Sequence, residues 1–282
     1  IDNPGDIASL SGSDYLYVAC NSYYSHVIDV ASNSIIETTY IGRSQSGVCV
    51  SPFDDYSYIT TDDGYLYIRD INLSTDNSYK ISGNGLGYPI LSSDGENLLV
   101  SNYLEDVVYV VDSSNGSIIE VINTPEGPCD IVITPDDQYA YIACTYANTV
   151  IKVSMNTFEI VSTIQNVTNS QCLAISPDGS RLFVGATGVA NDFRVIDTNT
   201  DTVINVLALN DCSIGDMKVS PTGDYMYIGS FSPHRIVILN LNTYNEDKII
   251  STPDWPISVC VLPNGCGVYI GCSTPDMIIK IE

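Results

Sequence analysis

The sequence predicts an all-β fold, a seven-bladed β-propeller. Three observations predict it: one segment recurs seven times at spacings of 41 to 44 residues, each copy reads as four short strands, and no stretch sustains a helical period.

Each copy carries a short apolar run, a turn rich in Pro, Asp or Gly, and an aromatic strand. The strand ends fall at Cys20, Thr61, Asn102, Cys144, Ala186, Ser230 and Cys272. The fifth copy shows the pattern in full. Cys172–Ile175 reads as strand a, Pro177–Gly179 as a tight turn and Arg181–Gly185 as strand b. Phe193–Ile196 reads as strand c and Thr202–Leu207 as strand d. Val, Ile, Tyr and Phe fill the strands, and Gly, Asn, Asp or Pro marks every connection. One four-stranded sheet cannot bury both its faces, whereas seven arranged radially bury them against one another. The blades are expected near 5–42, 43–83, 84–127, 128–170, 171–213, 214–256 and 257–282, forming a single domain.

The ends of strand b (Tyr17-Val-Ala-Cys20, Leu99-Val-Ser-Asn102, Tyr141-Ile-Ala-Cys144 and Phe183-Val-Gly-Ala186) resemble the motif of YVTN-repeat propellers. So do the Ser-Pro-Asp-Gly turn at 176–179 and the Val-Ile-Asp run that begins at Val195. The resemblance covers the whole chain. It implies a surface-layer or extracellular protein, with lactonase-like and dehydrogenase-subunit propellers as distant relatives. It says little of activity, because this fold hosts many.

The seventh repeat runs out at the end of strand c, so its blade is expected to have three strands. The chain opens on Ile1 without an initiator Met, as expected of a processed piece of a longer modular protein whose outer strand for blade seven lies upstream.

The net charge is −24, from 34 acidic against 10 basic residues. Such a surface repels phosphate backbones, so no nucleic-acid partner is expected. No run approaches the ~18 apolar residues of a membrane helix, so no direct membrane insertion is expected. Sequons at Asn72, Asn115 and Asn166 would permit glycosylation of a secreted chain.

Tyrosine, at 20 copies, is the most conspicuous residue. Tyr15, Tyr56, Tyr139 and Tyr225 share one strand-b position, and Tyr17, Tyr58, Tyr141, Tyr227 and Tyr269 share another. Recurrence two residues apart points to packing between blades. In the longer b–c and d–a connections, which lie on one face, stand Tyr23, Tyr24, Tyr65, Tyr88, Tyr103, Tyr146, Phe193, Phe231 and Trp255. Variable loops on a rigid scaffold are where recognition resides. Tyr24, Tyr65, Tyr88, Tyr103, Tyr146, Phe231 and Trp255 are therefore candidates for binding a protein or a glycan. The alternative is that they fold back onto the blade tops.

Asp6, Asp130 and Asp216 share the start of strand a, where the other repeats hold Gly47, Tyr88, Cys172 and Ser258. They should ring the mouth of the central channel. Converging carboxylates are the ligand type of Ca²⁺, but blades 1, 4 and 6 are not neighbours, and hydrogen bonds to nearby backbone N–H groups are the alternative. Lys218 falls two residues after Asp216, where other repeats are small or apolar, and calls for Asp216 or Asp130 as a partner. The acid or amide after strand c (Asp29, Asp70, Asp112, Asp197, Asn240) reads as an Asx cap of the c–d turn.

Nine cysteines show no zinc spacing. Most alternate with Ala, Ser and Thr as small packing residues. A Cys129–Cys172 or Cys172–Cys212 bridge is compatible with their placement in consecutive blades. Two histidines, His26 and His234, are too few for a haem or copper propeller, and no phosphate loop or nucleophile elbow appears. The expectation is a non-catalytic, cell-surface or secreted module without an obligate cofactor. A lactonase-like hydrolase with a central pocket and a purely structural surface-layer spacer are the alternatives.

Overall fold

The computed structural model describes residues 1–9, 14–53, 55–71, 75–187, 192–209, 212–253, 255–273 and 276–281. Within them, 27 strands form six four-stranded antiparallel sheets and one three-stranded sheet, each running a-b-c-d in chain order from the axis outward. In the fifth blade the strands are Ser170–Ile175, Arg181–Ala186, Asp192–Asp197 and Thr202–Ala208, within one or two residues of the sequence reading. Blade 7 holds Pro256–Val261, Val268–Ser273 and Asp276–Ile281, with no fourth strand among the described residues. The turn that begins the first repeat at 10–13 and the sequon Asn72 lie outside the described residues.

Seven hydrophobic clusters fill the seven gaps between blades. Alternation along strand b of blade 3 (Asn97–Asn102) illustrates how one strand serves two gaps. Leu98 and Val100 pack toward blade 2 with Tyr58 and Leu66, whereas Leu99 packs toward blade 4 with Ile142 and Ile151. This is the period-2 geometry of a strand buried on both faces. Ile7, Leu16 and Val18 of blade 1 meet Cys260, Leu262 and Tyr269 of blade 7, which closes the circle. Each fully buried Leu or Ile contributes about 1.5–3 kcal/mol.

The strand-b tyrosines divide into two kinds. Tyr17, Tyr58, Tyr141 and Tyr269 are buried between blades and Tyr227 is half-buried, as the repeat implies. The Tyr141 hydroxyl donates to the Asp201 carboxylate at 2.9 Å, and that of Tyr269 to Asn33 Oδ1 at 3.2 Å. The first-position tyrosines Tyr15, Tyr56 and Tyr225 are instead exposed, because strand b begins at the rim, where the next blade no longer covers it. Asx capping holds after strand c: Asp112 Oδ1 accepts from Ser114 N at 2.9 Å, and Asp197 Oδ1 accepts from the N–H groups of Asn199 and Thr200.

Neither of the two bridges compatible with the sequence forms; all nine cysteines are free. Cys129 Sγ stands 2.9 Å from Thr145 Oγ1 and 3.4 Å from Gln171 O of blade 5, whereas Cys172 Sγ lies over Gly185 of its own blade. Burial pushes Cys129 and Cys144 up to about 12, which keeps them protonated and unreactive. Cys266 is the exposed one. A thiol titration with Ellman's reagent should therefore find one fast-reacting group in the native protein and nine in denaturant; fewer than nine would restore a disulfide.

Candidate functional site

The b–c and d–a connections emerge on one face, around the mouth of the central channel. The site has two parts, a set of aromatic rings on that face and a charged cluster inside the channel.

Tyr103, Tyr146 and Trp255 are 46%, 63% and 56% exposed, and Tyr24, opening strand c of blade 1 (Tyr24–Asp29), is 41% exposed. Glycine makes room for several of these rings. A Cβ on Gly127, whose φ is +74°, would sit 2.5 Å from the Tyr146 ring, and one on Gly215 would sit 2.6 Å from the Phe231 ring. Tyr146 and Phe231 thus pack close over glycine backbone, and Tyr146 does so while it remains exposed. Phe231 is half-buried and packs at 6.3 Å from Trp255, whose N–H donates to His234 Nδ1 at 3.1 Å.

Three expected ring positions are corrected. Phe193 belongs to strand c of blade 5, fully buried and stacked on Phe183 at 5.8 Å. Tyr65 opens strand c of blade 2 (Tyr65–Asp70) and is half-buried, with the Arg43 guanidinium 3.8 Å and the Lys80 ammonium 4.6 Å from its ring centre. Its π-face is already engaged by cations. Tyr88 lies in strand a of blade 3 (Leu86–Leu91) and lines the channel, where its ring fills the space that Gly47 leaves open in blade 2. Sequence reasoning also missed Tyr40, the most exposed tyrosine at 67%, paired with Tyr24 at 5.3 Å. It is the last residue of a strand d (Ser34–Tyr40), which ends on the loop face.

The channel encloses a cavity of about 490 Å³ lined by Asp6, Tyr88, Asp130, Asp216 and Lys218 among others. Each aspartate staples two blades. Asp6 accepts from Ile7 N of its own strand and from Val48 N of blade 2, both at 2.9 Å. Asp130 accepts from Ile131 N at 2.9 Å and Leu173 N of blade 5 at 2.7 Å. Asp216 accepts from Met217 N at 2.7 Å and Val259 N of blade 7 at 2.8 Å. The donors belong to strand a, the edge strand of each sheet on the channel side, so the carboxylates satisfy N–H groups that pair with no further strand.

Lys218 Nζ donates to Asp216 Oδ1 at 3.0 Å, as the sequence called for. Burial alone would lower this amine; Asp216, Asp130 and Asp6 outweigh it and hold Lys218 above its ordinary value. Burial raises Asp6 to about 6, against the opposing pull of Val48 N–H and Lys218. Asp130 also rises to about 6, from burial against Lys218 and Leu173 N–H. Burial, then Asp6, raises Tyr88. The three carboxylates do not assemble as a cation site. Among the described residues no group of three or more His, Cys, Asp or Glu is placed to hold a metal ion, and the Lys218 ammonium stands among these acids. A carboxyl group titrating near 6 is able to exchange protons, but here both oxygens of Asp6 and Asp130 are bound to backbone N–H groups.

No known protein family matches the chain. No curated protein matches it either. Among solved structures, a chain of Kuenenia stuttgartiensis hydrazine synthase is similar over 100% of this chain and 96% of that one, at 18% identity and a TM-score of 0.89. At that identity the likeness establishes the propeller architecture alone.

Proposed function

We propose that this chain is a non-catalytic propeller of YVTN-repeat type, cell-surface or secreted, which binds a protein or glycan through its loop face. The observation that carries this reading is the set of exposed rings at Tyr24, Tyr40, Tyr103, Tyr146 and Trp255 on the face of the b–c and d–a connections. A ring fixed against backbone loses little conformational entropy when a sugar face or an apolar side chain stacks on it. On the opposite face Phe53 is exposed, and Tyr15, Tyr56 and Tyr225 are exposed to a lesser degree at the start of strand b. The charge of −24 disfavours phosphate-bearing ligands and favours neutral glycans or basic protein surfaces.

The test is a glycan array and a pull-down of surface proteins, each run with the native chain and with Tyr146→Ala/Trp255→Ala. Loss of both rings should weaken capture by roughly tenfold or more, the scale of an interface hot spot. Melting temperature should change little, since both side chains are mostly exposed. Capture that ignores the rings favours the spacer reading. Ester or lactone turnover abolished by Lys218→Met would favour the hydrolase reading, because that residue lies in the channel and not on the loop face.

A further inference from the structure

We propose that the central channel is a small-molecule site for a neutral sugar ring, held between Tyr88 and Lys218. The inference begins with what the channel wall itself requires. One residue from each strand a stands at the same level of the seven sheets, the one that follows the Asp6 position. Asp6 takes the N–H groups of Ile7 and Val48, Asp130 those of Ile131 and Leu173, and Asp216 those of Met217 and Val259. The seventh residue is Pro89, which has no N–H to satisfy. Three carboxylates on blades 1, 4 and 6 and one proline on blade 3 therefore leave no unmet donor at this level.

Tyr88, the residue before Pro89, is thus free of the stapling role. It is the one large side chain at a level where the other blades hold Asp6, Gly47, Asp130, Cys172, Asp216 and Ser258. Gly47 makes the room for it. A Cβ there would lie 2.9 Å from Tyr88 Cδ1 and 2.8 Å from Pro89 Cδ. The Tyr88 ring lines the lumen with 45% exposure, and its hydroxyl bonds to none of the described residues. Burial, then Asp6, Asp216 and Asp130, raises that hydroxyl, which places it in the field of all three acids. Lys218 Nζ uses one of its three donors on Asp216; among the described residues the other two have no acceptor. Each oxygen of Asp6 and Asp130 accepts one N–H and keeps a second lone pair.

Donors and acceptors thus stand side by side next to an aromatic face. A hydroxyl group both donates and accepts, so adjacent hydroxyls on a ring match this set, whereas an apolar ligand would leave it unmet. The C–H face of the same ring can stack on Tyr88. Charge narrows the class further. Three carboxylates against one ammonium repel an anion, and Lys218 already fills the place of a cation. The cavity, about 490 Å³, falls in the range of about 300–1,000 Å³ usual for small ligands. This site lies inside the channel and does not depend on the rings of the loop face.

The probes are glucose, mannose and galactose, each as the neutral sugar, the amino sugar and the uronate, titrated into the intact protein by saturation-transfer NMR. At least one neutral sugar should bind saturably, and its uronate about tenfold more weakly. Tyr88→Phe keeps the ring and removes the hydroxyl, and should weaken that binding about fivefold. Lys218→Met removes the resident ammonium and should shift the preference about tenfold toward the amino sugar. Melting of both variants separates a lost fold from a lost contact. A methyl glycoside that binds like the free sugar marks the end of a glycan chain as the source; one that fails to bind marks the free sugar. Binding of no neutral sugar, a uronate held as tightly as its neutral parent, or an affinity that a folded Tyr88→Phe variant leaves unchanged overturns the proposal. So does an unaltered neutral-to-amino preference in folded Lys218→Met.

Discussion

Replacing Asp216 with Ala should lower the stability of this propeller by about 2–4 kcal/mol, a larger loss than any surface substitution on the molecule. The side chain holds three partners: its own strand through Met217 N, blade 7 through Val259 N, and the Lys218 ammonium. Truncation strands two backbone donors in the wall of the channel, at about 1–3 kcal/mol for each that water does not reach. It also removes the nearest anion from Lys218. That part is discounted, since the lysine side chain is 45% exposed to the channel lumen and water there screens some of the loss. For a chain of this size the shift in melting temperature should be roughly 3–7 °C. Adding Lys218→Met to Asp216→Ala should recover part of the loss by removing the stranded charge. A double variant no more stable than the single one would mean that the backbone staple, not the ion pair, carries the effect.

These staples mark the limit of what the sequence discloses. The recurrence of Tyr17, Tyr58, Tyr141, Tyr227 and Tyr269 declares the blade, its strand b and the faces that pack, because the period of two within a strand and the period near 42 between strands are both written in the primary order. The shared position of Asp6, Asp130 and Asp216 is equally visible, as is the partner of Lys218, two residues away. What is not visible is the destination of each second oxygen. Val48, Leu173 and Val259 are ordinary residues of a strand a, the edge strand of each sheet, and their N–H groups are taken by the carboxylate of the preceding blade. Nothing in a side-chain pattern announces which blade supplies the second donor.

The aromatic residues were misjudged where loop and strand meet. Phe193 reads both as the opening of a strand c and as part of the connection before it, and Tyr65 as connection; Phe193 lies second in its strand c, turned into the core, and Tyr65 first in its own, covered by cations. Tyr40 errs in the opposite sense, as the end of a strand that reaches the recognition face. A one-residue change in where a strand begins decides which side a ring takes, and the composition of a connection does not fix that residue.

The channel acids should also make the protein more stable in mild acid than at neutrality. Asp6 and Asp130 titrate near 6 in the folded chain against an ordinary value of 3.8. Between those values the folded state holds protons that the unfolded state has released, so stability falls as pH rises through the interval. Their favourable contribution is complete below about 4 and is lost above about 6. Its size is about 2 kcal/mol for each carboxylate between pH 7 and pH 4, an upper figure that water in the channel lowers. General relief of the −24 charge acts in the same direction, so the wild-type curve alone is not diagnostic. The comparison that isolates the channel is the wild type against Asp6→Asn/Asp130→Asn. Asparagine keeps one acceptor oxygen and does not titrate, so the variant is expected to melt lower at every pH by an amount that widens as pH falls from 7 to 4. A gap that stays constant across that range would place the titration of these two carboxylates outside the interval and remove burial as the dominant influence on them.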